Sequence, residues 1–397
     1  MQQAIRSRIH ALISAMLLSV VATAGWSQSI TWLGTLGGRQ SYATGVSADG
    51  RVVVGGALNY SSEWARAFRW TQATGMQDLG TLGGGWSSAY GVSADGSAVI
   101  GVATDATDSP RAFRWTQATG MQDLGTLDGN SSEAYGVSAN GSVVVGESYS
   151  RAFRWTQATG MQDLGTLGGG WSSAYGVSAD GSVVVGESGS RAFRWTQATG
   201  MQDLGTLGGG WSSAYGVSAN SVVVGWADST SGLIRAFRWT QATGMQDLGT
   251  LGGSYSWAYG VSADGSVVVG WAHDDSYEWR AFRWTQAGGM EDLNQTYASL
   301  LTNGSFLETA RAISPDGRYI VGQGINAVTE RYEAFLLDTG TSPREGDVNG
   351  DGCVDDSDLL AVLFAFGNSG GAEDLNNDGV VDDADLLTVL FNFGGGC

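Results

Sequence analysis

The chain has 397 residues, with 63 glycines, 3 prolines, and 20 basic residues against 39 acidic ones, for a net charge of −19. That charge excludes nucleic-acid binding driven by phosphate neutralisation. All the basic residues are arginines, which excludes Schiff-base chemistry by lysine, and only His10 and His273 could serve a histidine-dependent triad. The length suits one large repeat domain followed by a small second one.

In chain order, residues 1–24 read as a secretory signal peptide: Arg6 and Arg8 precede an apolar run from Ala11 to Ala22, and Ala22-Thr23-Ala24 is a small-residue cleavage site. No later segment is apolar enough to span a membrane. The mature protein is therefore expected to be secreted, extracellular or held at the cell surface, and monomeric. It keeps one histidine, His273, on a loop.

Two motifs then recur. The leucine of "LGTL" falls at Leu33, Leu79, Leu124, Leu164, Leu204 and Leu248, with a degenerate copy at Leu293. "GVSADG" or a variant begins at Gly45, Gly91, Gly136, Gly176, Gly216 and Gly260, with a relative at Ala312. Each unit holds four strand-like runs. In the second they are "AYGVS" (A), "SAVIG" (B), "RAFRW" (C) and "MQDLG" (D). Asp-Gly between A and B, and the Gly-closed "TQATG" between C and D, are hairpin signals. In "RAFRW" the Phe and Trp share one face, while Ala and Arg share the other. Seven such units predict an all-β fold, a seven-bladed β-propeller over residues 25–340; a parallel β-helix is the alternative.

The chain ends support a ring. "ITWLGTLGG" at the start is an orphan strand D, and the seventh unit ("RAISPDG", "RYIVGQG", "EAFLLDTG") lacks one. Closure by an N-terminal strand would remove exposed edges. Unit five reads "SANSVVVG", one residue short in its A–B turn. The "AFRW" cores and "GMQDLGTLGG" resemble the HAF repeat of extracellular bacterial proteins over residues 30 to 338. The family's leading His is Arg here, at Arg66, Arg111, Arg151, Arg191, Arg235 and Arg280. The resemblance implies secretion and a repeat architecture, and no reaction.

Strand order puts the uniform A–B and C–D turns on one face and the variable B–C and D–A loops on the other. Trp86, Trp171, Trp211 and Trp257 lie on the variable side. They either cover seams between blades or form a broken ring that stacks on a glycan. The arginines of "RAFR" are expected to pair with the Asp of "MQDLG" on the next strand. Glu147, Glu187, Asp228, Asp274 and Asp275 are the carboxylates a glycosidase would draw on. Near-identical units should spread equivalent acids around the ring, so no asymmetric pair is expected and the chain is read as a non-enzyme.

After a linker at 341–346 the composition changes, and residues 347–397 form a second module. "DVNGDGCVDDSD" from Asp347 and "DLNNDGVVDDAD" from Asp374 place oxygen side chains at loop positions 1, 3, 5, 9 and 12, with Gly at 6. A hard cation such as calcium takes six or seven oxygens in this wrap. The first set is Asp347, Asn349, Asp351, Asp355 and Asp358 with the backbone oxygen of Cys353. The second is Asp374, Asn376, Asp378, Asp382 and Asp385 with that of Val380. Two calcium ions are expected. Cys353 and Cys397, an even count in an exported chain, are expected to form a disulfide.

Asp at position 12 and the apolar helices "LLAVLFAFG" and "LLTVLFNFG" make this module similar to a dockerin, the small α-helical calcium module that anchors secreted proteins. The resemblance implies a cohesin-like or cell-surface partner. The function expected is a binding or structural scaffold tethered by that module; the alternative is a carbohydrate-active enzyme or accessory component of a polysaccharide-degrading assembly.

Overall fold

The computed structural model describes residues 28–59, 62–340, 346–349, 354–369, 371, 373–376 and 380–394, without the side chains of Ser62 and Glu63. The signal peptide, most of the linker, Asp351, Cys353, Asp378 and Cys397 lie outside the described residues. Among those described, no helix is long and apolar enough to cross a membrane.

The chain builds antiparallel four-stranded sheets in sequence order, as in Ser172–Val177, Val183–Ser188, Arg191–Thr196 and Gly200–Asp203. The first strands are Gly37–Val46, Gly83–Val92, Glu133–Val137, Ser172–Val177, Gly208–Val217, Gly252–Val261 and Phe306–Ile313. Each touches the next, and Phe306–Ile313 also touches Gly37–Val46, so the cycle closes on itself. The architecture is all-β and propeller-like.

The orphan N-terminal strand behaves as its sequence requires. Ser29–Trp32 pairs antiparallel with Arg331–Asp338, from Ser29 opposite Asp338 to Trp32 opposite Phe335. A single parallel bridge, Gln40 to Tyr332, joins this last sheet to the first.

The core lies between sheets rather than within them. Val183 and Val185 of one strand pack into one seam, while Val184 between them packs into the other. That is the period-two alternation of a strand with both faces buried. At the heart of the sheets sit Phe68, Phe113, Phe153, Phe193, Phe237, Phe282 and Phe335, all fully buried. Each such burial contributes about 2–3 kcal/mol.

A buried serine clasps consecutive sheets. Ser172 Oγ accepts from Ala152 N at 3.0 Å and donates to Gly165 O at 2.7 Å, both in the preceding sheet. Ser87, Ser132, Ser212 and Ser256 repeat this. At the closing seam Ser41 accepts from Ala334 N at 2.9 Å and donates to Gly34 O at 2.5 Å, binding both ends of the repeat region at once. The glycine of "LGTL" and the first serine of "SSAYG" recur because they are two halves of one joint.

A second set of joints links the A–B turns. Ala48 N donates to Ala94 O, Ala94 N to Ala139 O, Ala139 N to Ala179 O, Ala219 N to Ala263 O, and Ala263 N to Pro315 O. Among the described residues, Ala179 makes no such bond to Ala219. This is where unit five is one residue short. Ser221 takes the left-handed position (φ 65°) held by Gly181 (φ 75°) in the preceding turn. Arg154 donates to the carbonyl of Gly181, and Arg238 to that of Gly265 at 3.1 Å. Arg194, between them in the repeat, faces the shortened turn across a cleft of about 640 Å³.

The expected Arg–Asp pairing holds in part. Arg66 meets Asp78 at 3.2 Å and Arg151 meets Asp163 at 3.6 Å. Arg111 and Arg280 pair instead with Asp105 and Asp274 of their own B–C loops, at 2.9 and 2.7 Å. The second arginine of "RAFR" reaches the next unit's turn carbonyl at Arg114, Arg154 and Arg238, whereas Arg283 meets Glu291 of the adjacent strand at 4.0 Å.

The second module contains helices Asp356–Ala365 and Asp383–Asn392, which touch each other. Val354, Val362, Val381 and Val389 form its small buried core. Gly367 N donates to Val381 O at 2.8 Å and Gly394 N to Val354 O at 2.7 Å. Those two bonds are the same bond shifted by 27 residues, so the two loop–helix units clasp each other reciprocally.

Candidate functional site: an axial cavity and an asymmetric rim

Each first strand carries a β-bulge at one repeat position. Register shifts between Ala134 and Gly136, so Tyr135 has no cross-strand partner; the same shift isolates Thr44, Tyr90, Tyr175, Tyr215, Tyr259 and Arg311. A bulged residue is re-aimed out of the sheet, and here these seven side chains converge on a cavity of about 410 Å³. The tyrosines follow one another from Tyr90 to Tyr259, with centroids 5.5, 5.4, 5.0 and 5.4 Å apart; Tyr175 and Tyr215 stack, while Tyr215 meets Tyr259 edge-on. Thr44 and Arg311 interrupt the run. Arg311 Cζ lies 5.5 Å from the centre of the Tyr259 ring. Burial pushes the phenols of Tyr90, Tyr135 and Tyr175 well above the ordinary value of 10 and raises that of Tyr215 as well.

The phenol groups lead to a second tier, formed by the residue before the conserved Ala of strand A and the one after the conserved Gly of strand B. Successive units carry Gly56, Val102, Glu147, Glu187, Trp226, Trp271 and Gln323 at the latter position. Repetition ends here. Glu147 faces Glu133 directly across strands, and Glu187 faces Ser173. Ser173 Oγ donates to Glu147 Oε2, and Tyr135 Oη donates to Glu133 Oε2 at 3.1 Å. Burial raises the carboxyls of Glu133 and Glu187 above the usual range. No salt bridge reaches these three acids among the described residues.

The neighbouring units are aromatic instead. Trp271 Nε1 donates to Tyr259 Oη at 3.2 Å, and Trp226 Nε1 to Tyr215 Oη at 3.4 Å. Trp271 stacks between Trp257 and Trp279 at 4.4 and 4.3 Å. His273 sits against Tyr255, Trp271 and Trp279, its Nδ1 buried and unpartnered.

The four tryptophans selected from sequence do not make one ring. Trp86, Trp171 and Trp211 share a position, but its equivalent in the sixth unit is Tyr255; Trp257 lies two residues later and belongs to the second tier. No ring contact joins Trp86, Trp171 and Trp211 to one another among the described residues. Trp211 is exposed, and Trp86 and Trp171 are half-buried. Asp274 is occupied in ordering its own loop: it accepts from Ser276 N at 2.8 Å, Glu278 N at 3.0 Å and Arg280 Nε at 2.7 Å. Asp228 is half-buried and Asp275 exposed. Sequence reasoning passed over Glu133, the tyrosines and Arg311, although aligning the units on "SAYG" shows Thr44 and Arg311 replacing a recurrent Tyr.

In the C-terminal module the last Asp of each loop holds the loop's backbone. Asp358 Oδ1 accepts from Val348 N at 2.8 Å and Asn349 N at 3.0 Å, and its Oδ2 from Asp355 N at 2.9 Å. Asp385 repeats this with Leu375 at 2.7 Å, Asn376 at 3.1 Å and Asp382 at 2.9 Å. Burial opposes ionisation of Asp385, but these donors outweigh it and its carboxyl lies below the usual range. Asp355 and Asp382 serve as helix N-caps, so each loop end is also a capping box. Asp347, Asn349, Asp374, Asn376 and Val380 belong to the described loops. Among the described residues, no three His, Cys, Asp or Glu side chains cluster as a metal group; Asp351, Cys353 and Asp378 lie outside that set. The helices expose Leu360, Leu363, Phe364, Leu387, Leu390 and Phe391, with both phenylalanines 84% exposed.

No family model matches the chain, and no curated protein is similar to it in sequence. Among solved structures it is similar to an oligogalacturonate lyase in complex with manganese, at 13% identity and a TM-score of 0.52 over 78% of this chain and 93% of that one. It is also similar to TolB from Acinetobacter baumannii (12% identity, TM-score 0.42, 73% of this chain and 81% of that one). A TolB-like protein from Agrobacterium tumefaciens gives 14% identity and a TM-score of 0.40, over 76% and 90%. The likeness to the lyase, with the cycle of four-stranded sheets, shows a propeller-like all-β fold. The lyase also corrects the reading of the chain as a non-enzyme, since an enzyme is built on this fold and the fold does not exclude catalysis; the premise of evenly spread acids fails too, because Glu133, Glu147 and Glu187 gather in two adjoining units.

Proposed function

We propose that this chain is a secreted seven-bladed β-propeller that binds a saccharide at its axis, within a polysaccharide-degrading assembly. One observation carries the reading: beyond the phenol ends of a tyrosine-lined cavity, three carboxylates without salt bridges among the described residues adjoin a tryptophan surface. Aromatic faces stack on the apolar side of sugar rings, and buried carboxylates and phenols suit hydroxyl recognition. The carboxylates are also the residues that would supply acid and base to a reacting glycoside.

The C-terminal module would hold two calcium ions through the loop oxygens of Asp347, Asn349, Asp355, Asp374, Asn376 and Asp382 together with Asp351 and Asp378. Calcium would supply the cross-link that a core of four valines needs. The exposed apolar helix faces support docking to a cohesin-like or cell-surface partner, as the dockerin resemblance implies.

The test is a glycan array with the mature chain, followed by turnover assays on every glycan retained. Binding weakened by Trp271→Ala and Glu147→Gln supports the reading. An array without any retained glycan overturns it.

A further inference from the structure

We propose that Arg311 makes the axial cavity a receptor for a carboxylate, so that the ligand is an acidic saccharide carrying a uronate-type group. The proposal rests on the saccharide reading only in placing that carboxylate on a sugar ring.

Arg311 occupies the bulge position that holds tyrosine in the five preceding units, so the backbone aims it at the axis. It lies at the interruption of the aromatic run, beside Thr44, whose short side chain leaves the space a sixth tyrosine would fill. Its guanidinium is near the face of Tyr259, and its Nε is buried with no hydrogen-bond partner. No salt bridge involves it among the described residues, and no acidic residue lines the cavity.

Elsewhere in the repeat Arg280 takes an Asp and Arg238 a turn carbonyl, while Arg69 and Arg283 also keep a buried Nε without a partner; what sets Arg311 apart is that it lines the axial cavity. A half-buried guanidinium beside an aromatic ring, lining a cavity that holds no acid, is completed by a planar carboxylate. A cavity of about 410 Å³ falls in the range of small-molecule sites and admits a sugar ring beside the tyrosines.

The experiment is calorimetric titration of the mature protein with glucuronate, glucose and acetate, for the native chain and for Arg311→Gln and Arg311→Lys. Matching thermal melts of the variants establish that each is folded. The expected result is glucuronate bound roughly 10- to 100-fold tighter than glucose, the worth of a charge-assisted hydrogen-bond pair. Arg311→Gln should bring glucuronate down to the glucose level, and Arg311→Lys should keep part of the preference. Equal binding of both sugars overturns the carboxylate assignment and leaves the saccharide reading standing. Acetate bound through Arg311 with neither sugar bound supports the anion site and overturns its saccharide source. Silence of all three ligands overturns both.

Discussion

The seven glycines that follow the valine run of strand B offer a sharp test of how the axis is built. In each unit a Cβ at this position would overlap the carbonyl oxygen of the strand-A residue before the bulge: Gly55 against Tyr42, Gly101 against Ser88, Gly146 against Glu133, Gly186 against Ser173, Gly225 against Ser213, Gly270 against Trp257 and Gly322 against Thr309. At Gly186 it would also lie 2.9 Å from Cε1 of the buried Phe193. Neither neighbour can retreat, since the carbonyl belongs to a paired strand and the ring fills the sheet centre. Gly186→Ala should therefore behave as overpacking, costing about 3 kcal/mol. With an unfolding entropy of about 2.1 cal/mol/K per residue over roughly 300 residues, that is a fall in Tm of about 5 °C. The assay is differential scanning calorimetry of Gly186→Ala beside Gly170→Ala, whose added Cβ meets nothing within 4 Å. Gly170→Ala should leave Tm within about 1 °C. A Gly186→Ala melt indistinguishable from it would show that strand A can shift at the bulge, and that the close strand approach does not position the tyrosines.

Asp338→Asn should destabilise the ring by about 3 kcal/mol in urea unfolding, because it strands a buried Arg318 that now holds Asp338 in two bonds of 2.8 and 2.7 Å; Arg318→Met should cost less. Burial raises the Glu187 carboxyl above its ordinary 4.5, so the folded state favours the proton: its contribution is full below pH 4.5 and is lost as pH rises through the folded value. Glu187→Gln should thus match the native chain at pH 4 and exceed its stability at pH 8, and equal melts at pH 8 would contradict this. Stripping calcium with a chelator should reduce the helical signal at 222 nm and restoring it should recover the signal; a chelator-insensitive spectrum would dissociate the module's fold from metal. Asp358→Ala should unfold that module even at saturating calcium, because three backbone N–H groups lose their acceptor at once.

The sheets were legible because each unit states its strands twice, through alternation and through Gly-closed turns. The orphan "ITWLG" was legible as a closing strand because a complement was missing at the other end. The site was harder to read. Attention to tryptophan paired Trp257 with Trp86 by composition, whereas a bulge two residues later decides which side chain meets the axis. Glu133 escaped notice because its significance is its partner Glu147, and cross-strand register is not written in either strand alone. The two loop–helix units were legible from spacing, but spacing offered the last Asp only as a ligand, and its three backbone bonds depend on how the loop folds back on the helix.

The shortened turn of unit five gives the ring a direction of failure. Among the described residues, every junction between Ala48 and Pro315 carries a turn-to-turn bond except the one from Ala179 to Ala219, and the last sheet is latched by a whole N-terminal strand. A circle of identical joints would open anywhere. This one lacks a turn bond between its fourth and fifth units, where the Ser212 clasp and the buried seam carry the load alone, far from the strand where the propeller's first and last sheets meet.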